Sequence, residues 1–168
     1  MLETEVKIRV SDPASTRKSI LDGGARLEKE RYLEENTLFD FSDHELFSKK
    51  KAIRLRTIGK KCFITFKGTP QKSRSFKIRE EFETEVKNPQ HTKKILKRLG
   101  LQPLFQYEKF RTVFRMKALK ICLDEMSIGN YLELEGKQTS IVKFAKTLGY
   151  TRGDFIKKDY IQLIKESE

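Results

Sequence analysis

The sequence predicts an α+β fold: a closed or nearly closed antiparallel β-barrel of roughly eight strands with helices packed outside. Three observations lead there. Most segments between turn signals alternate apolar and charged residues with the period of two that a half-buried strand requires. The helical segments are few and short, and they need apolar surface to cover, which the strands' apolar faces supply. The opposite strand faces carry both signs of charge and few Ser, Thr or Asn, so covering the apolar faces leaves charged faces looking at one another across a wet interior. An open antiparallel sheet with one face in water produces the same alternation, and the pattern alone leaves that architecture standing.

Residues 2–10 open the chain with Glu3, Glu5 and Lys7 on one face and Val6 and Ile8 on the other. Pro13 starts a helix that Gly23-Gly24 closes, and residues 36–41 form a short apolar strand. Ala52–Thr57 and Lys61–Lys67 flank Ile58-Gly59-Lys60, a hairpin turn. Gly68, Pro70, Lys72, Ser73 and Arg74 mark a mobile basic loop. Residues 75–87 form a long strand with Phe76, Ile78, Phe82 and Val86 opposite Arg79, Glu81, Glu83 and Glu85. Asn88-Pro89 supplies the N-cap and first-turn proline of a helix that ends near Gly100. Tyr107–Lys117 sets Phe110, Thr112, Phe114 and Met116 against Lys109, Arg111, Val113 and Arg115. Leu119–Glu125 and Asn130–Lys137 complete the strands, and helices over 140–148 and 154–166 end the chain. Val6, Ile8, Leu55, Ile64, Phe66, Leu132 and Leu134 are expected outward, under helices. With no internal repeat, low-complexity tract or linker composition, residues 1–168 read as one domain.

Composition narrows the partners. The formal net charge of +12 points to an anion, with phosphate the obvious candidate. No apolar run approaches the ~20 residues of a membrane span and no signal-peptide hydrophobic region opens the chain, so a cytoplasmic protein without membrane contact is expected. Cys62 and Cys122 sit singly in apolar strand-like stretches without metal-ligand spacing, which reads as reduced, packed thiols. His44 falls in a loop and His91 in a helix's first turn, and neither has a catalytic partner. No phosphate loop, dinucleotide-binding glycine fingerprint or zinc pattern is present.

The charged faces carry the chemistry. Arg54-x-Arg56 places two forked guanidiniums on one strand face, suited to bidentate phosphate contacts, and Lys7, Lys67, Lys109 and Arg111 add cations from separate strands. Without a bound anion these like charges repel one another, and nearby carboxylates offset part of that repulsion. Carboxylates beside so many cations would only neutralise them unless they hold a hard cation. Glu3, Glu5, Glu133 and Glu135, with Asp124 in support, suit Mg²⁺ or Mn²⁺ shared with phosphate oxygens.

Glu3-x-Glu5-x-Lys7 resembles the N-terminal ExExK signature of the CYTH superfamily, the triphosphate tunnel metalloenzymes. The resemblance continues in order through Ile53-Arg54-Leu55-Arg56, Thr65-Phe66-Lys67-Gly68, Arg79-Glu80-Glu81-Phe82-Glu83, Tyr107-Glu108-Lys109-Phe110-Arg111, Leu123-Asp124-Glu125 and Gly129-Asn130-Tyr131-Leu132-Glu133-Leu134-Glu135. It implies an eight-stranded antiparallel tunnel with Lys7, Arg54, Arg56, Lys67, Lys109, Arg111 and Arg79 on the triphosphate. It also implies Glu3, Glu5, Asp124, Glu133 and Glu135 on one or two metal ions. The family includes class IV adenylyl cyclases, thiamine triphosphatases and inorganic triphosphatases. Asp159-Tyr160 stands where cyclase-like members often carry Ser-Tyr, which weakens the cyclase case.

The reading is therefore a metal-dependent enzyme on a triphosphate such as tripolyphosphate, ATP or thiamine triphosphate, with hydrolysis ahead of ATP cyclisation to cyclic AMP and pyrophosphate. Lys67, Glu81 and Glu83 are the candidate catalytic residues, and the general base stays open among them. A non-catalytic RNA- or polyanion-binding module is disfavoured, because Phe66, Phe82, Phe110 and Phe114 share the apolar parity instead of standing exposed among basic residues. Homodimer formation stays open.

Overall fold

A computed structural model describes residues 1–168. Eight strands alternate with five helices and one 3₁₀ turn. The strands are β1 (Leu2–Val10), β2 (Arg26–Asp40), β3 (Ala52–Ile58), β4 (Lys61–Lys67), β5 (Lys77–Glu85), β6 (Gln102–Met116), β7 (Leu119–Met126) and β8 (Gly129–Glu135). The helices are α1 (Pro13–Asp22), α2 (Glu45–Ser48), α3 (Pro89–Arg98), α4 (Gln138–Thr147) and α5 (Tyr160–Ser167). The strand order β1-β5-β4-β3-β2-β6-β7-β8 closes on itself, so the sheet is a closed antiparallel barrel.

The chain divides into two compact units. One comprises residues 1–2, 33–71 and 79–108, the other 3–32, 72–78 and 109–168. In the first, β3 and β4 pair from Ala52↔Lys67 to Ile58↔Lys61 across Gly59-Lys60, and Gly59 takes the φ of 57° that a tight hairpin asks of its first residue. Phe39, Leu55 and Cys62 meet Leu96 of α3 and Leu101 in its core, with Leu46 of α2 packed against them. In the second unit, Val6, Ile8, Ile121, Leu123, Leu132 and Leu134 lie under Ile20 of α1 and Ile141, Phe144 and Ala145 of α4. The expected apolar parity of β1, β7 and β8 holds there.

Local signals explain the helix ends. Asp12 and Asn88 accept backbone N–H bonds ahead of Pro13 and Pro89, and Asp159 caps α5 through the N–H of Gln162. The terminal helix predicted over 154–166 is shorter: a 3₁₀ turn covers Arg152–Asp154 and α5 begins at Tyr160. The His44 segment is a loop that leads into the four-residue α2, with His44 itself at a left-handed φ of 58°. There the buried Asp40 carboxylate accepts from the N–H groups of Leu46 and Phe47.

Two strand boundaries differ from expectation. β2 starts at Arg26 and not at 36, and β6 starts at Gln102 and not at 107. Most of both early segments is solvent-exposed, so no apolar face marks them. Phe82 and Phe110 also depart from their expected cover, being 54% and 36% exposed. Phe82 pairs across β4–β5 with the half-buried Phe66, and Phe110 lies beneath the Arg31 guanidinium, 3.6 Å from its ring centroid. Five short helices cannot cover the whole outer surface of the sheet. Phe114 is fully buried, as expected.

Candidate active site

Both units carry a charged cluster on the strand parity opposite their apolar core. In the first unit, Arg54 and Arg56 of β3 pair with Thr65 and Phe63 of β4, and Thr65 and Lys67 pair in turn with Glu83 and Glu81 of β5. Arg56 reaches Glu83 at 2.5 Å and Glu34 at 3.4 Å, while Arg54 reaches the other Glu83 oxygen at 3.5 Å. The Thr65 hydroxyl donates to that same oxygen at 2.6 Å. Lys67 holds both oxygens of Glu81, at 2.5 and 2.6 Å, and Arg79 Nε adds a bond of 2.9 Å. Arg54 Nε and Arg56 Nε are buried and have no hydrogen-bond partner. Two charged donors left in this state are costly unless an anion meets them.

Burial would push the Glu83 carboxyl up, but Arg56, the Thr65 hydroxyl, Arg54 and Lys67 outweigh it and hold it below the usual carboxylate range. A carboxylate with so low a proton affinity is a weak general base. Lys67 is engaged by both Glu81 oxygens. All three candidate catalytic residues are thus brought together, and each is engaged in an ion pair.

In the second unit, β1, β6, β7 and β8 contribute. Register sets Lys7 opposite Glu133, Glu5 opposite Glu135 and Arg111 opposite Asp124. Lys7 Nζ bridges Glu5 at 3.1 Å and Glu133 at 3.2 Å. Arg111 grips Asp124 in bidentate fashion, at 2.6 and 2.5 Å, and reaches Glu133 at 2.8 Å. Asp124, fully buried, also accepts from Lys109 at 3.1 Å and from the Tyr160 hydroxyl at 2.5 Å. Lys109 and Lys7 sit 4.6 and 4.8 Å from the Tyr160 ring centroid. Burial first, then the carboxylates of Asp124 and Glu133, push the Tyr160 phenol well above its usual value, so it stays a donor.

The five expected metal ligands do not come together as a set. No group of three His, Cys, Asp or Glu is gathered in a way that could hold a metal ion. Asp124 is saturated by Arg111, Lys109 and Tyr160, and Glu135 pairs with Lys120 at 2.9 Å. Glu3 is half-buried near the start of β1. The carboxylates occur as pairs, Glu5 with Glu133 on Lys7 and Glu5 across from Glu135.

Sequence reasoning missed four participants. Lys77 is buried, 4.0 Å from Glu5 and 3.5 Å from Asp159; its place two residues before Arg79, on the same face, was the available signal. Glu34 and Asn36, both buried, lie in a segment with little alternation. Tyr160 figures in the sequence reading only within the Asp159-Tyr160 pair that stands where cyclase-like members often carry Ser-Tyr, and is given no role there. Cys122 also differs from its expected apolar setting, since it pairs with Glu133 in register. Burial, against the pull of Arg111 and Lys120, leaves its thiol pushed up to about 12, consistent with an inert reduced cysteine.

The paired charges fix a pH dependence. Burial opposes the charged form of both Lys7 and Glu133. Their ion pairs prevail, raising Lys7 through Glu5 and Glu133 and dropping Glu133 well below its usual value through Arg111 and Lys7. The depressed Glu133 contributes stability that is full above the unfolded value of ~4.3 and is lost as pH falls toward the folded one. The raised Lys7 contributes stability that is full below ~10.4 and is lost as pH climbs toward its folded value. The melting temperature of the protein minus that of Glu133→Gln should therefore be constant near neutrality and shrink below pH ~4. An undiminished difference at pH 2 would remove Glu133 as the linked group.

Comparison with known proteins identifies the family. The sequence pattern of the CYTH domain matches residues 1–159. The chain belongs to the CYTH domain family. This CYTH protein is 24% identical to a Methanocaldococcus jannaschii protein provisionally named an adenylate cyclase, over 97% of this chain and 98% of the relative. A solved structure from Pyrococcus horikoshii superposes with a TM-score of 0.81 at 26% identity, covering 96% of this chain and 98% of its own. A Hippeastrum protein, described as an adenylyl cyclase candidate with a dominant triphosphatase activity, has a TM-score of 0.73 at 22% identity and covers 99% of this chain and 96% of its own. At 22% identity the Hippeastrum likeness shows a shared fold. No helix of this CYTH protein is long and apolar enough to cross a membrane.

Proposed function

We propose that the protein is a metal-dependent triphosphatase that releases phosphate from inorganic tripolyphosphate or an organic triphosphate. The observation that carries the reading is the pair of buried, unpartnered Nε–H donors on Arg54 and Arg56. Phosphate oxygens are the acceptors that fit two adjacent guanidinium forks. Lys67 and Arg79 complete the grip in the first unit, and Lys7, Lys109 and Arg111 serve phosphate oxygens in the second. Glu81 and Glu83 keep the cations aligned when no anion is bound and exchange them for phosphate oxygens when one is.

The donor set suits Mg²⁺ or Mn²⁺ in chemistry, being all carboxylate, and a pairwise arrangement suits Mg²⁺, which takes one or two carboxylates and fills its shell with water and phosphate. A carboxylate pair would hold it, Glu5 with Glu133 or Glu5 with Glu135 across from it. Bound there, the ion supplies positive charge to the transferring phosphoryl oxygens. Phosphoryl transfer has a loose transition state that asks for positioning and charge compensation more than for a strong base. That accords with a site in which Lys67, Glu81 and Glu83 are all held in ion pairs. Dominant triphosphatase activity in the Hippeastrum relative supports hydrolysis, whereas the name of the M. jannaschii relative favours the second reading, ATP cyclisation.

The test is an assay of the purified protein with tripolyphosphate, ATP and thiamine triphosphate, under Mg²⁺ and then Mn²⁺, with cyclic AMP measured beside phosphate. Phosphate release well above cyclic AMP formation is expected. Cyclic AMP as the main product would establish the cyclase instead, and no turnover of any of the three would end the enzymatic reading.

A further inference from the structure

Beside the two arginines lies a group that neither phosphate nor metal explains. Asn36 of β2 is 2% exposed and pairs in register with Arg56. Its amide is oriented by Glu34: Nδ2 donates to Glu34 Oε1 at 3.2 Å, and the flipped amide would set oxygen against carboxylate. Oδ1 is thereby left buried with no hydrogen-bond partner. A buried amide oxygen without a donor is destabilising, and native structures rarely keep one without a use.

The surroundings decide what Oδ1 can receive. Phosphate oxygens are acceptors and would be repelled by it. A metal ion is disfavoured by Arg56, directly opposite, whose guanidinium already pairs with Glu34. The partner has to be an uncharged O–H or N–H donor. We infer that Asn36 Oδ1, held in place by Glu34, is an acceptor subsite for a ligand hydroxyl, amine or water adjoining the Arg54–Arg56 phosphate grip. The inference rests on the triphosphate reading for the identity of the neighbouring ligand. Two sources share this chemistry: a hydroxyl or amine on the organic part of the substrate, and the water that attacks phosphorus.

Asn36→Leu separates them. Leucine matches the amide in size but offers no acceptor. Kinetics are measured on tripolyphosphate, which has no organic part, and on ATP, which has hydroxyls and an amine; tripolyphosphate affinity is measured by calorimetry, and folding by melting temperature. If Oδ1 receives a substrate group, kcat/KM for ATP falls about tenfold relative to that for tripolyphosphate. If it positions the attacking water, kcat falls on both substrates by about the same factor while tripolyphosphate affinity holds. Changes under twofold in both arms overturn the inference. So does a parallel loss of activity, tripolyphosphate affinity and melting temperature, the mark of a merely structural residue. Asn36→Ala, which adds no bulk, repeats the measurement should leucine disturb the barrel. Failure of the triphosphate reading shows separately, as an unsubstituted protein that turns over neither compound.

Discussion

Asp124→Ala should destabilise the protein by about 3–5 kcal/mol, the characteristic cost of removing one partner from a buried ion pair. Asp124 is fully buried and is the shared acceptor of Arg111, Lys109 and Tyr160. Arg111 keeps Glu133, but its bidentate partner is gone, and two buried cations come to face each other with less compensation. Asp124→Asn, which retains an oxygen for the Tyr160 hydroxyl, should fall between the two. Chemical denaturation read by circular dichroism checks this. A loss below ~1 kcal/mol for the alanine variant would show that water replaces the carboxylate and that the cluster is softer than its distances imply. The expected result also bears on function: inactivity of an Asp124 variant would report lost cation placement before it reported a lost metal ligand.

Arg56→Ala should lower kcat/KM for tripolyphosphate by a factor of about 10²–10³, the usual toll of deleting one preorganised charge-stabilising donor. Arg56→Lys should recover only a small part, because an ammonium keeps the charge and loses the fork. The sequence suggests that removing one of several mutually repelling cations would leave the unliganded protein as stable as before, or more so. The pairing reverses that expectation. Arg56 is bonded to Glu83 and to Glu34, which is 0% exposed, so alanine should also lower the melting temperature without ligand. Activity within threefold of the unsubstituted protein would remove Arg56 from the phosphate grip.

How much of this was legible in the sequence depended on whether one face of each strand was dry. In β1, β7 and β8 the period of two is clean because helices cover Val6, Ile8, Leu123 and Leu132, and Glu5, Lys7, Asp124 and Glu133 stand out on the opposite parity. Over Arg26–Leu33 water reaches most of both faces, so Leu27, Lys29 and Arg31 alternate with Arg26, Glu28 and Glu30 to no visible effect. Glu34 follows directly from that stretch and was lost with it, while Asn36 opened a predicted strand that was read only for its apolar residues. What sequence could not show at all is allocation. The carboxylates that look free for a metal are largely engaged by cations, and only atomic positions reveal that Asp124 is saturated while Asn36 Oδ1 is not.

Lys7 has a second attachment besides its ammonium contacts. Its backbone N–H and C=O bond Ile156 at 3.0 and 2.8 Å, as an isolated antiparallel bridge, and Tyr160 follows four residues later. Lys7 of β1 therefore waits for a segment that follows β8 and α4 before its surroundings exist. During synthesis β1 can pair neither with β8 nor with the Ile156 segment until the six strands between β1 and β8 have emerged, and closing so long a loop is the slow step in β-rich folding. The second charged cluster is thus assembled late in time although it begins early in the chain. A nascent protein halted before residue 156 would carry Lys7 without its Ile156 bridge, and Lys7 and Lys109 without the Tyr160 ring beside them.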